Sequence, residues 1–166
     1  MRLYVMRHGP AEDRAPSGRD ADRKLTGDGR ARVRRVAEEL RDDLAGAPPR
    51  VLASPLLRAR ETAEIVAELL GSAAPEIRDE LALDADLPLR LVAELAAVGE
   101  DVLLVGHAPR VDHLVRVLAP GPDHRPPSAM AGGFCTAMVA ALEPLDSPER
   151  ASLWQVLHVV DPRALG

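Results

Sequence analysis

Aromatic rings are nearly absent from this chain: one Trp, one Tyr and one Phe make up 2% of its residues. Proteins that read single-stranded nucleic acid by base stacking need exposed rings, so that class is disfavoured. The core must be built from Leu, Val and Ala instead. Cysteine is equally scarce. Cys135 stands alone, which excludes an internal disulfide; lying in an apolar stretch, it reads as a small buried hydrophobe in a strand. Lys24 is the only lysine, so the cationic residues are almost all Arg. Excess positive charge is missing too. The net charge is −5, which argues against binding nucleic acid or an anionic membrane. No apolar run approaches the roughly 20 residues of a membrane span, and the first one is about as long as a strand, too short for a signal peptide. The expectation is a cytoplasmic protein with no membrane partner. No two of the five histidines, His8, His107, His113, His124 and His158, have the i, i+4 spacing of a helical zinc motif. No metal is expected.

What is present is the pattern of a globular domain. The 166 residues are 46% apolar, enough for one domain with its own core over 1–166. Strands are expected over Arg2–Met6, Arg50–Ala53, Asp101–Gly106, Phe134–Leu142 and Leu153–Val160. Helices are expected between them. The first follows Thr26, a plausible N-cap, with Val33, Val36, Ala37, Leu40 and Leu44 on one face. Its arginines, Arg30, Arg32, Arg34, Arg35 and Arg41, interleave with acids and read as a solvated face. The second helix opens at Ser54-Pro55, read as N-cap and first helical residue, and stops at Gly71. A third covers Leu87–Val98, and a fourth Arg110–Leu118. Pro10 to Lys24 has no periodicity and reads as a long loop, a common home of function. Alternating strands and helices give an α/β fold: a three-layer sandwich with a mostly parallel central sheet and helices on both faces.

Three short segments carry chemistry. Arg7-His8-Gly9 ends the first strand, Ser54-Pro55-Leu56-Leu57-Arg58-Ala59 follows the second, and Gly106-His107-Ala108 ends the apolar run Val102–Val105. The carboxyl ends of parallel strands are where α/β proteins bind ligands. An imidazole beside a permanent cation makes sense if it must attack an anion that the cation holds. Arg58 lies in a first helical turn, where its charge opposes the helix dipole, and a bound anion there would offset that cost.

These segments, in this order, resemble the histidine phosphatase superfamily, the phosphoglycerate-mutase-like group, and within it the small SixA-type protein-phosphohistidine phosphatases. Arg23-Lys24-Leu25-Thr26 and Trp154-Gln155 extend the likeness over most of the chain. The resemblance implies that the three segments meet at one edge of the sheet. It makes His8 a nucleophile that takes up the phosphoryl group and passes it to water. Arg7, Arg58 and His107 then form the phosphate pocket, with Gly9 and the Ala108 amide beside them. The physics agrees with such roles. Phosphoryl transfer is mostly positioning and charge stabilisation, and guanidiniums grip phosphate oxygens with directed hydrogen bonds. Their charge makes a divalent metal or other cofactor unnecessary. Nearby positive charge also keeps an imidazole unprotonated, as a nucleophile must be. His107 suits a donor role, protonated or in a fixed tautomer.

The chain departs from the wider family at the general acid. Mutase-type members carry a Glu two positions after a leucine, and matching Asp79-Glu80-Leu81 to that pattern places Leu83 there. Glu80 and Asp84 are the nearest substitutes. A phosphomonoester expels a poor alkoxide and needs a proton donor; a phosphohistidine expels an imidazole, which leaves more easily. The resemblance and this gap together imply a metal-independent phosphatase acting through a phosphohistidine intermediate on phosphohistidine in proteins. A small-molecule phosphomonoester phosphatase with Glu80 or Asp84 as acid is the alternative. A non-catalytic phosphate-binding adaptor is the third reading. The pocket mouth would be lined by Arg19, Arg23, Arg60 and Arg110. The sequence leaves the oligomeric state open, and a monomer is plausible.

Overall fold

The computed structural model describes residues 1–44, 46–120, 130–145 and 153–165. Among them six strands and four helices follow in the order β1 (Leu3–Arg7), α1 (Gly27–Asp42), β2 (Arg50–Ala53), α2 (Leu57–Leu70), β3 (Glu76–Ile77), α3 (Leu89–Val98), β4 (Val102–Gly106), α4 (Arg110–Leu118), β5 (Val139–Pro144) and β6 (Trp154–Val160). One sheet holds all the strands in the order β3-β2-β4-β1-β5-β6. Neighbours from β3 to β1 are parallel; β5 is antiparallel to β1, and β6 to β5. The mixed sheet with a parallel majority matches the expected fold.

The layers follow from the two-residue alternation of each strand. Tyr4, Met6, Val51, Ala53, Leu103 and Val105 face one way, against α1 and α2. Leu3, Val5, Leu52, Val102 and Leu104 face the other, against α3 and α4. Strands covered on both sides must be apolar throughout, and β4 is buried at every position. Leu and Val dominate both cores, as the scarcity of rings requires.

The helix ends set the loops at the carboxyl edge of the sheet. Thr26 caps α1 as expected, its hydroxyl accepting the Gly29 amide at 2.9 Å. Ser54 does not cap α2: the helix begins at Leu57, after an extended Leu56. The Ser54 hydroxyl accepts the Leu56 amide at 3.3 Å and is committed elsewhere, as described below. α3 starts at Leu89, so Leu87 and Pro88 stand just before it. The long loop contains one 3-10 turn, Asp20–Asp22, and a single bridge joining Ala11 to Leu25.

The largest correction concerns the strand expected from Phe134. It begins at Val139. The preceding residues wrap the end of β1 instead of pairing regularly. Ala137 takes a left-handed conformation, φ 67°, and its amide bonds the Arg7 and His8 carbonyls, both at 3.1 Å. Cys135 therefore lies in a loop and not in a strand, half-buried, with its thiol 3.7 Å from an Asp161 carboxylate oxygen. No helix among the described residues is long and apolar enough to cross a membrane. His124 lies outside the described residues.

Candidate active site

Strand order brings the three motifs together. β2, β4 and β1 are adjacent in the sheet, and Arg7 is in register with Gly106. The His8 amide continues the ladder to the Gly106 carbonyl at 3.0 Å. His8 and His107 thus emerge side by side, ring centroids 5.1 Å apart and planes inclined by 54°. Both are buried, as is Arg58.

His8 is held in one tautomer. Its Nδ1 lies 2.7 Å from the Gly9 carbonyl oxygen. A carbonyl only accepts, so Nδ1 must carry the hydrogen, which leaves the lone pair of the neutral ring on Nε2. Burial, with help from Arg58, Arg7 and Arg23, lowers the His8 pKa to about 4, against the opposing pull of the Gly9 hydrogen bond. Burial and the charges of His8, Arg58 and Arg7 lower that of His107 to about 3. Both rings are uncharged at neutral pH.

His107 has a partner that the sequence reading missed. Its Nε2 lies 2.7 Å from the Ser54 hydroxyl. That oxygen already accepts from Leu56, so its own proton is free to point at Nε2. In the tautomer where that proton points at Nε2, the ring hydrogen is on Nδ1, which is buried and has no partner among the described residues. Arg7 Nε and Arg58 Nε are buried and unpartnered in the same sense. Buried donors without partners are costly and rare in native proteins. Two such donors, Arg7 Nε and Arg58 Nε, and the His107 Nδ1 belong to the motif side chains.

The other bonds of the guanidiniums fix their orientation. Arg7 Nη1 donates to the Phe134 carbonyl at 2.7 Å, the loop that replaced the expected strand. Arg58 Nη1 donates to the Asp20 carbonyl at 3.0 Å, and Nη2 to the Asp20 carboxylate at 3.1 Å. Arg23 Nη1 reaches the other Asp20 oxygen at 2.8 Å. Asp20 carries no signal in a loop crowded with Asp and Arg. Thr62 was also missed, though it follows Arg58 by one helical turn. Its hydroxyl donates to the Arg58 carbonyl at 2.7 Å and accepts the Gly9 amide at 3.0 Å. Gly9 thus spends both its backbone groups on holding the loop. It must be glycine, since a Cβ there would stand 2.5 Å from Val33 Cγ2. Ala108 follows β4 directly, beside His107.

Glu80 is exposed and shares a crevice with Leu81, Gly106, His107, Arg110 and Val111. Asp84 is exposed and outside that lining. Leu83 is 43% exposed, and Arg110 Nε donates to its carbonyl at 2.7 Å. Arg19 and Arg60 are exposed, whereas Arg23 and Arg110 are partly covered.

Two uncharged imidazoles and two oriented guanidiniums stand together at the strand ends. The chain belongs to the histidine phosphatase superfamily, whose branch 1 family model matches residues 3–82, and it is a phosphatase with a histidine nucleophile. Phosphohistidine phosphatase SixA of Escherichia coli strain K12 is 34% identical over 161 residues, covering 94% of this chain and 93% of that protein. An uncharacterised protein of Picosynechococcus is 39% identical over 124 residues, covering 73% of this chain and 74% of its own. The structure of the protein histidine phosphatase SixA complexed with tungstate superposes with a TM-score of 0.83 at 29% identity, covering 100% of both chains.

Proposed function

We propose that this phosphatase removes phosphate from phosphohistidine on proteins, with His8 as the nucleophile. The observation that carries the reading is the His8 Nδ1 hydrogen bond to Gly9, which leaves Nε2 as an uncharged lone pair on a ring 5.1 Å from that of His107, with Arg7 Nε and Arg58 Nε unpartnered among the described residues. Arg7 Nε, Arg58 Nε and His107 Nδ1 are suited to the equatorial oxygens of the phosphoryl group, where charge is greatest. His8 Nε2 attacks phosphorus while the substrate P–N bond breaks. The departing imidazole, protonated at its other nitrogen, leaves as a neutral ring. Water then attacks phosphorus, the bond to His8 breaks, and phosphate is released with the proton passed to solvent.

The phosphohistidine phosphatase activity of the Escherichia coli relative supports this substrate class, as does the Leu83 position, which offers no proton to an alkoxide. The test is turnover on a phosphohistidine-bearing carrier protein without added metal. His8→Ala is expected to lower it by about three orders of magnitude or more. Undiminished turnover in that variant would end the proposal. A second reading, a phosphatase for small phosphate esters, is favoured by one observation: Glu80 lines the same crevice as His107. It requires Glu80→Gln to slow ester hydrolysis, and it requires esters to be turned over faster than phosphohistidine.

A further inference from the structure

Among the described residues, Asp20 is the one carboxylate bonded to Arg58 and Arg23, and its place there is not explained by the reaction just derived. Its two oxygens are divided between Arg58 at 3.1 Å and Arg23 at 2.8 Å. The Asp20 side chain is 53% exposed, while that of Arg58 is 4% exposed. The carboxylate therefore sits at the rim, between the buried cluster and solvent. Its charge is felt at His107 as well.

We propose that Asp20 is a built-in counter-anion of the pocket, which weakens its hold on inorganic phosphate and so speeds product release. The inference rests on the reading of this cluster as a phosphate site. Guanidiniums from Arg7, Arg23 and Arg58 around one anion would otherwise retain the dianionic product. Slow product departure limits many enzymes. A carboxylate sharing two of those cations opposes a second anion on the far side of the same guanidinium.

Asp20 has a competing role, as a brace that orients Arg58 for substrate. The two roles predict opposite signs. Removing a brace weakens anion binding; removing a counter-anion strengthens it. The geometry favours the counter-anion. The Arg58 Nη1 bond goes to the Asp20 backbone carbonyl at 3.0 Å, so it survives any change of side chain. Arg58 is also buried to 3% residual exposure, held by its surroundings as well as by Asp20. What a side-chain replacement removes is mainly one negative charge. For a dianion on the order of 6 Å away at solvent-like screening, that charge is worth about tenfold in affinity.

The experiment is titration of orthophosphate and of tungstate into the full chain, wild type, Asp20→Asn and Asp20→Ala, with product inhibition measured in parallel. Asp20→Asn is expected to bind orthophosphate about tenfold more tightly, Asp20→Ala to shift in the same direction, and both to be inhibited at lower phosphate concentration. Thermal melts in phosphate-free buffer check that both variants fold. If the wild type binds phosphate and the variants bind it equally or more weakly, the counter-anion is refuted and the pocket stands. If none of the three binds phosphate or tungstate, the pocket reading falls and this inference with it.

Discussion

Two adjacent buried histidines that resist protonation should make this protein acid-sensitive well above the carboxylate range. His8 is held at about 4 and His107 at about 3, against an ordinary 6.5. In the unfolded chain both rings take up a proton as pH falls through 6.5. In the folded chain neither does until pH approaches 4. The folded state binds fewer protons across that window, so stability is full above pH 6.5 and drains as pH falls. Lowering pH from 7 to 5 costs about 2 kcal/mol for each ring, about 4 kcal/mol for the pair. For a chain of 166 residues, that is a fall in midpoint of roughly 8–16 °C. The paired carboxylates with lowered pKa, such as Asp20, Glu76 and Asp161, act at lower pH and leave this window clear. The assay is thermal or urea unfolding in phosphate-free buffer at pH 7, 6 and 5, for wild type and for a His8→Asn, His107→Asn double variant. The variant should lose almost none of the pH slope's worth of stability, because it has no imidazole to protonate at the site. The same titration places the acid limb of kcat/KM near 4 and not near 6.5. If wild type and double variant lose stability in parallel, the histidines are not the source and the uncharged-pair argument is wrong.

Two further substitutions probe the supports of the site. Ser54→Ala leaves His107 Nε2 without its 2.7 Å partner and is expected to cost about 1–3 kcal/mol in denaturant unfolding; kcat should drop about tenfold as the tautomer loosens, and Ser54→Thr should restore most of it. Gly29→Ala puts a Cβ 2.0 Å from the Pro10 carbonyl oxygen, so backbone must move. Destabilisation of about 2 kcal/mol or more is expected, and an unchanged midpoint with unchanged kcat would show that the contact yields freely.

The sheet and its helices were legible because each segment carried a period of its own. Val33, Val36, Ala37 and Leu40 are spaced for one helical face, and all are buried. Val102 to Val105 is apolar without alternation, as a strand covered on both sides must be, and it is. The motif residues His8, His107, Arg7 and Arg58 stood at element ends, where local sequence is informative. What stayed hidden depends on contacts between distant segments. Phe134 to Met138 is apolar enough for a strand, but its hydrogen bonds go to Arg7 and His8, and no local pattern encodes that. Ser54 satisfied every rule for an N-cap, yet its hydroxyl serves an imidazole 53 residues away. Asp20 is one of several acids in an aperiodic loop; only the fold selects it. Glu76–Ile77 is too short a strand to announce itself.

The chemistry of the site is therefore a matter of register. Four of the groups that surround His8 arrive on separate elements, and nothing covalent ties them. Arg7 and Gly106 are partners across a parallel ladder, and a slip by one residue would turn every side chain of β1 to the opposite core. Tyr4 and Met6 would trade places with Leu3 and Val5, which pack against different helices. Such a slip is barred because the two faces differ in volume and in partners, not because any bond at the site forbids it. The burial of β1 and β4 on both faces holds His8 and His107 5.1 Å apart. The desolvation that lowers both pKa values comes from the same packed layers. The aliphatic core thus sets the protonation state of His8 as well as its position.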